Sequence, residues 1–587
     1  MLCVAESPGA STGPAEARST RIGLAAIDAS TGDVRHAEFD DTQARPGLES
    51  RLLQLSPAEV LLVEPVSAAT SKLDSAVFGE GKGARVERVP VASGYADARD
   101  AEKALASYVD QIDRRAGENA SRERAESATR TENGTERLSS RDTIVGGQTA
   151  RAAATAFDWL RPFGLDGVSR LAGSAAAFKP MAGGDDDGGT MRLSPNVIRQ
   201  LELFRSSEDT HRGSLVWLLG ANAVTAGGAR LCRRWVAHPL TDVGAIRERL
   251  AAVRELKDAA EPDSGGRLDG LTAALRRCHG DRAGDAERYL ARVFHGTATP
   301  AELVSALSAV RAFADAVVEI TDSAGPDASI ESDATRRLLA EARDPQVVAT
   351  CASLLGAVDA EAARSGRATP ATALKPDDAR FPELSQTRAA VADAVRSLDD
   401  LLPELRDALV RKKDPRDAVF GSGPRNAHSL ALPARLEYVT VALVEHLIEL
   451  PDTTENVPHD WVRVSTNKSK KVVRYHPPAV LERAAALERA RERHTRACET
   501  AWRRFLSVEC AGKFLELRAA VRAAAELDAL CSLAALARQE GYCCPTFLDD
   551  ERLGDEESEK PAFLDIREGR HPILDATLAG GERVVPN

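Results

Sequence analysis

The stretch PAVLERAAALERARERHTRACETAWRRFLSVECA, Pro478 to Ala511, decides the architecture of this chain. After its opening proline it carries neither glycine nor proline. Cys498, Ala501, Trp502 and Phe505 recur at intervals of three and four, the period that lines side chains along one helix face. At 1.5 Å per residue the run predicts a helix roughly 50 Å long. Gly512 permits a break, and beyond it Phe514, Leu517, Val521, Ala524, Leu527, Cys531 and Ala534 trace a second apolar stripe. Long helical arms follow from these two patterns.

The rest of the composition agrees. A chain of 587 residues exceeds one ordinary core, so several domains are expected. Hydrophobic residues make up 43% and aromatics only 4%, and an apolar surface carried by alanine and leucine favours packed helices over a sandwich. The expected fold class is multidomain and mainly α. A formal charge of −12 excludes a chain that coats nucleic acid along its whole length, since phosphate binding rests on Lys and Arg. Any such contact must be local. No apolar run approaches the ~20 residues of a membrane span, and MLCVAESPGAS has no secretory pattern, so no membrane partner is expected and the chain reads as soluble and intracellular. The nine cysteines form no CxxC pair, and adjacent Cys543 and Cys544 suit neither a structural bridge nor a zinc half-site.

Upstream of the long arm the character changes. LEYVTVALVEHLIEL at 436–450, a turn region around Pro451 to Pro458, and WVRVSTNKSKKVVRYH at 461–476 read as a β-hairpin carried on helical arms. Its second strand departs from the acidic average, with Arg463, Lys468, Lys470, Lys471 and Arg474 and no carboxylate between them. Ser465, Thr466 and Asn467 add neutral donors suited to phosphate oxygens. Two readings stay open: a tip that grips a DNA backbone without reading its sequence, or a solvated edge on which lysines block stray strand pairing.

Nearer the N-terminus, IGLAAIDA, the turn Ser30-Thr31-Gly32-Asp33, VRHAEF, LESRLLQL and EVLLVEP describe a small α/β domain opening with a hairpin. Residues 111–141 are rich in Arg, Glu, Ser and Thr with almost no large apolar side chain, and read as a disordered insertion. Ala152 to Leu165 reads as a helix, GGDDDGG at 183–189 as a linker, and Ser194 to about Val410 as mostly helical. Asp28 and Glu64 each follow a strand, which offers two carboxylates of a metal-dependent nuclease as an alternative, though no third acid stands with them. Asp28 is otherwise expected to serve the turn after it. His238, His476 and His571 each precede a proline, a pattern of chain geometry more than of acid–base chemistry. No catalytic residue and no metal site is assigned, and no GxxxxGK[ST] loop occurs.

Taken in order, these segments resemble the MutS family of DNA mismatch-repair proteins. IGLAAIDASTGDVRHAEFDD with LSPAEVLLVEP resembles its connector domain, an RNase H-like fold without nuclease activity. MRLSPNVIRQLELF, GSLVWLL, Thr225, Gly227 and RLCRRWVAHPLTDVGAIRERLAAV resemble the opening of its core, and DAERYLARV with Pro300-Ala-Glu-Leu303 its lever. The hairpin and arms fall where the family places its clamp, a small β-rich insertion between long lever helices. VPHDWVRVSTNKSKKVVRYHPP and ALARQEGYCCPTF are particularly similar to the eukaryotic MutS homolog 3 branch. The domains implied are a leader at 1–20, a connector-like α/β domain at 21–175, a linker at 176–192, core and lever helices at 193–410, the clamp at 411–477, returning lever helices at 478–547, and the start of an ATPase domain at 548–587.

The resemblance implies binding of double-stranded DNA carrying mismatches or insertion–deletion loops, a MutS homolog 2-like partner, a nuclear location, and ATP and magnesium as cofactors of the full family architecture. This chain opens at the connector and ends at GRHPILDATLAGGERVVPN, before the phosphate loop, so no cofactor and no ATPase activity are expected of it alone. Val584, Val585 and Asn587 are the remnant of a nucleotide seat, with Val584 where family members often hold an aromatic. The alternative is a helical scaffold that binds proteins, which the acidic charge and the apolar stripes support, or a non-functional fragment.

Overall fold

The computed structural model of the chain describes residues 1–8, 19–29, 32–78, 84–90, 95–108, 146–163, 165, 178–181, 189–258, 267–280, 284–323, 330–410, 435–454, 457–547 and 564–578. The insertion at 111–141, the GGDDDGG run up to Gly188, and Val584, Val585 and Asn587 lie outside these residues. Two compact units are present, Met1–Gly356 with Leu506–Asn587, and Ala357–Phe505.

The first unit opens with a mixed sheet of β1 (Leu2–Pro8), β2 (Thr20–Ile27), β3 (Val34–Asp41), β4 (Glu59–Val63), β5 (Arg85–Val89) and β6 (Phe178–Pro180), in the order β5-β4-β1-β2-β3-β6. The hairpin expected at its start is β2–β3. Two expectations are corrected. Within the expected leader at 1–20, Leu2–Pro8 is instead an inner strand, antiparallel to β2 and parallel to β4. Leu2, Cys3, Val4 and Ala5 are at most 3% exposed, and Glu6 is ion-paired at 3.6 Å with the buried Arg45. Nor is 176–192 wholly linker: β6 adds to the β3 edge, a position where Pro180 removes no inner ladder bond. Helices α1 (Pro46–Leu55), α2 (Ala68–Phe78) and α3 (Gly147–Leu160) complete the layer. Helix α3 crosses β2 so closely that a Cβ on Gly23 would stand 2.1 Å from the Gln148 carbonyl carbon, so only glycine fits there.

The helical part of this unit is built around one central helix, Phe514–Ala537. All seven residues of its expected stripe, from Phe514 to Ala534, are at most 6% exposed. It packs with α4 (Ala226–Ala237), α5 (Val243–Asp258), α6 (Arg267–His279), α7 (Pro300–Ser323) and α8 (Asp333–Ala342) in a leucine- and alanine-rich core. A buried carboxylate sits in that core, alongside the buried Thr335, His279 and Ser532. Asp528, 1% exposed, accepts from the backbone N–H of Val224 at 3.0 Å and Thr225 at 2.8 Å, and from the Thr225 hydroxyl at 2.6 Å. Thr225 caps α4 by accepting from Gly228 N–H, and a Cβ on Gly228 would lie 2.1 Å from Asp528 Oδ2.

In the second unit α9 (Pro382–Asp399) and α10 (Leu401–Val410) precede a four-stranded antiparallel sheet, and α11 (Pro478–Arg504) follows it. Helices α9 and α11 run antiparallel, since Thr387 meets His494 at 2.9 Å while the Arg483 guanidinium donates to Ser397 O at 2.9 Å. Leu398, Leu401, Leu405, Val480 and Leu487 of these helices share a core with Ile448, Leu450 and Trp461 of the sheet segment. The helix expected over Pro478–Ala511 ends earlier, at Arg504. A π turn, Phe505–Cys510, and a 3-10 turn, Ala511–Lys513, occupy the remainder, so the α-helical rise is roughly 40 Å. Buried Phe505, Leu506 and Cys510 fit the wider turn, which brings a residue five places on back to nearly the same face. The chain is thus mainly α, with a small mixed sheet and a separate antiparallel sheet inserted between long helices, as its sequence leads one to expect.

Candidate nucleic-acid interface

The inserted sheet consists of β7 (Tyr438–Val441), β8 (Val444–Pro451), β9 (Val462–Asn467) and β10 (Val472–His476), in the order β7-β8-β10-β9. The expected single hairpin is therefore two. LEYVTVALVEHLIEL turns back on itself at Ala442 and Leu443, whose φ values of 51° and 69° are left-handed, and WVRVSTNKSKKVVRYH turns at Lys468–Lys471. The second turn is local chemistry. Asn467 Oδ1 accepts from Lys470 N–H at 3.1 Å and Lys471 adopts φ 54°, an Asx-type closure followed by a left-handed residue.

Register fixes where the lysines stand. Val472 pairs with Asn467 on one side and Pro451 on the other, while His476 at the far end of β10 leads through Pro477 into α11. The turn thus projects from the end of the sheet opposite α11, about 16 Å from it at ~3.3 Å per residue. The sheet behind it is anchored. Trp461 and Val473 are buried, Trp461 lies edge-on to Tyr475 at 6.3 Å, and the Tyr438 hydroxyl donates to Leu398 O at 2.7 Å.

The eight residues singled out by sequence divide into three groups. Lys468, Lys470 and Lys471 are exposed, and none of their ammonium groups has an ion pair among the described residues. Arg463 and Thr466 are exposed on the edge strand β9, where the guanidinium donates to the Thr466 hydroxyl at 2.6 Å. Ser465, Asn467 and Arg474 are spent inside the sheet. Arg474, on the inner strand β10, donates to Glu449 Oε2 at 2.9 Å and lies 3.5 Å from Ser465 Oγ, with its side chain 11% exposed. The expectation that Arg474 shares in phosphate binding is therefore replaced by a cross-strand role. The absence of carboxylates between residues 463 and 474 said nothing of Glu449, which β8 brings opposite. The lysines also stand on the turn and not along the β9 edge, so protection of an unpaired ladder does not account for them.

The nuclease alternative fails on the same kind of register argument. Leu2 of β1 stands opposite Ala26 and Val60, and Ala5 opposite Gly23 and Val63. Asp28 and Glu64 therefore leave the sheet at opposite ends, roughly 20 Å apart along the strands, where two catalytic metals would need to lie within ~4 Å of each other. The turn after Asp28 is closed by its backbone instead, the Asp28 carbonyl accepting from Gly32 N–H at 2.8 Å. Among the described residues no group of three His, Cys, Asp or Glu side chains is placed to hold a metal, and no helix is long and apolar enough to cross a membrane. Of the three His-Pro pairs, His571 has a clear structural task, its Nδ1 accepting from Leu574 N–H at 3.3 Å to cap a short helix.

Comparison with known proteins bears on the whole chain. Residues 196–534 match MutS domain III and residues 2–112 match MutS domain II. The chain is 29% identical over 594 residues to "DNA mismatch repair protein MSH3" of Arabidopsis thaliana, covering 97% of this chain and 50% of that protein. It is 30% identical over 590 residues to "DNA mismatch repair protein msh-3" of Neurospora crassa, with 99% and 45% covered. For MSH3 of Mycosarcoma maydis the figures are 30% over 583 residues, 97% and 46%. The chain spans about half the length of the curated relatives it matches. With the domain III match alone taking in more than half of its residues, the chain belongs to the MutS family and is similar to the MSH3 proteins within it.

Proposed function

We propose that this chain supplies the connector, lever and clamp of an MSH3-like mismatch-repair protein, and that the Lys468–Lys471 turn is the part of it that holds DNA. One observation carries the reading: three ammonium groups with no ion pair among the described residues stand on a turn at the end of an anchored sheet, in a chain whose overall charge is −12. Cations so placed attract backbone phosphates and carry no base information, so the turn contributes affinity and register to any duplex. Arg463 and Thr466 on the adjoining edge extend the contact.

The same proposal takes from the relatives' names a role in DNA mismatch repair. It assigns the complete protein a nuclear location, a MutS homolog 2-like partner, substrates with mismatches or insertion–deletion loops, and dependence on ATP and magnesium. The test compares a matched duplex with one bearing an extrahelical loop. Changing Lys468, Lys470 and Lys471 together to alanine is expected to weaken binding to both by the same factor. A loss confined to the looped duplex would show that the turn selects substrate, contrary to the proposal. Equal and weak binding by both proteins would favour the scaffold reading.

A further inference from the structure

The seam between the mixed sheet and the helical core of the first unit encloses a cleft of about 530 Å³. Three elements bring arginines to its wall: Arg35 from β3, Arg230, Arg233 and Arg234 from α4, and Arg518 and Arg522 from the central helix. The carboxylates on the same wall are Asp28, Asp33, Glu287 and Glu526, so six guanidiniums face four acids in a chain that is acidic as a whole.

The pairing inside the cleft is uneven. Arg230 is neutralised, meeting Asp285 at 2.7 Å and Glu287 at 2.5 Å. Asp33 is divided between Arg234 at 3.3 Å and Arg518 at 3.2 Å. Arg35, Arg233 and Arg522 have no ion pair among the described residues, and Arg233 lies 4.3 Å over the Phe204 ring. The crowding registers on the neighbours. Burial and then Arg234 hold the Arg35 guanidinium below its ordinary value, while burial, Arg35 and Arg234 push His238 down to about 4. His238 is thus a neutral imidazole at pH 7, and its Nδ1 is buried with no hydrogen-bond partner among the described residues.

A concave site of this volume suits a small ligand, and guanidiniums in excess of carboxylates suit one with several phosphate oxygens, which arginine recognises through paired N–H donors. We propose that the cleft binds a small free polyphosphate anion, with Arg35 and Arg522 supplying the unspent charge. A DNA duplex is too wide to enter a space of this size. The site therefore stands apart from the lysine turn and does not depend on that reading.

Inorganic tripolyphosphate is the probe, titrated by calorimetry into the full chain carrying alanine at Lys468, Lys470 and Lys471, which removes the turn as a competing phosphate site. Saturable one-to-one binding is expected. Arg522→Gln, a change at an exposed position of the central helix, should weaken it at least threefold with an unchanged thermal melt, and adding Arg35→Ala should bring the loss beyond tenfold. ATP in place of tripolyphosphate should show the same dependence on Arg522. Absence of saturable binding, or affinity indifferent to Arg522→Gln in a protein that melts normally, would overturn the proposal. Displacement of the probe by a stoichiometric amount of short duplex would overturn it as well.

Discussion

Replacing Asp528 by alanine removes the one acidic group from the core of the central helix, and the structure sets the size of the effect. Asp528 is 1% exposed and accepts from three donors, the Val224 and Thr225 N–H groups and the Thr225 hydroxyl. A hydrogen bond to a charged acceptor contributes about 1.5–3 kcal/mol, and a buried donor left unpaired costs about 1–3 kcal/mol. Against this, burial raises the Asp528 pKa, so part of the cost of holding the anion is recovered on its removal. The net expectation is a loss of about 3 kcal/mol for Asp528→Ala at pH 7. Thr225→Val removes one donor and the α4 cap, for about 1.5 kcal/mol. Because the two side chains share a bond, the double variant should fall short of the sum by about 1 kcal/mol. Urea denaturation followed by circular dichroism, read on the transition of the first unit, measures all three. Loss of less than about 0.5 kcal/mol in Asp528→Ala would mean that the network does not hold α4 to the central helix, refuting the reasoning.

Arg474→Met is expected to loosen the inserted sheet by about 1–2 kcal/mol through its lost bond to Glu449, yet to leave the salt slope of duplex binding unchanged within half a unit; thermal melts and a salt titration check the two halves. Gly23→Ala drives a methyl into the Gln148 backbone and should cost about 3 kcal/mol, visible as a lowered melting temperature or loss of soluble protein. Burial holds the His279 imidazole down to about 4, against ~6.5 when unfolded. A depressed histidine contributes fully above pH ~6.5 and loses that contribution as pH falls toward 4, amounting to about 2 kcal/mol at pH 5. The difference between urea midpoints at pH 7 and pH 5 should therefore shrink in His279→Phe.

What could be read in advance was whatever repeats along the chain. The stripe from Phe514 to Ala534 and the set Cys498, Ala501, Trp502 and Phe505 are buried as their spacing indicates, because helix periodicity is a property of neighbours in sequence. Strand partnerships are not. Leu2–Pro8 looked like a leader because a short run buried on both faces lacks the alternation that marks a half-exposed strand. The inserted sheet looked like one hairpin because its turns, Ala442-Leu443 and Lys468–Lys471, contain no glycine or proline, although both use left-handed residues. Arg474 looked available because Glu449 lies 25 residues away in sequence. Asp528 escaped notice as the polar member of an apolar helix, its partners lying 303 and 304 residues away.

The central claim is that the lysine turn neutralises DNA phosphates, and the salt dependence of duplex binding tests it most directly. With each neutralised phosphate contributing about 0.9 to the slope of log affinity against log salt, alanine at Lys468, Lys470 and Lys471 should flatten that slope by about 2.7 units. Arg474 adds nothing to this figure, since its charge is already met by Glu449. A drop of two to three units is the predicted result. An unchanged slope, with the triple variant binding as well as the unaltered chain, would contradict the account.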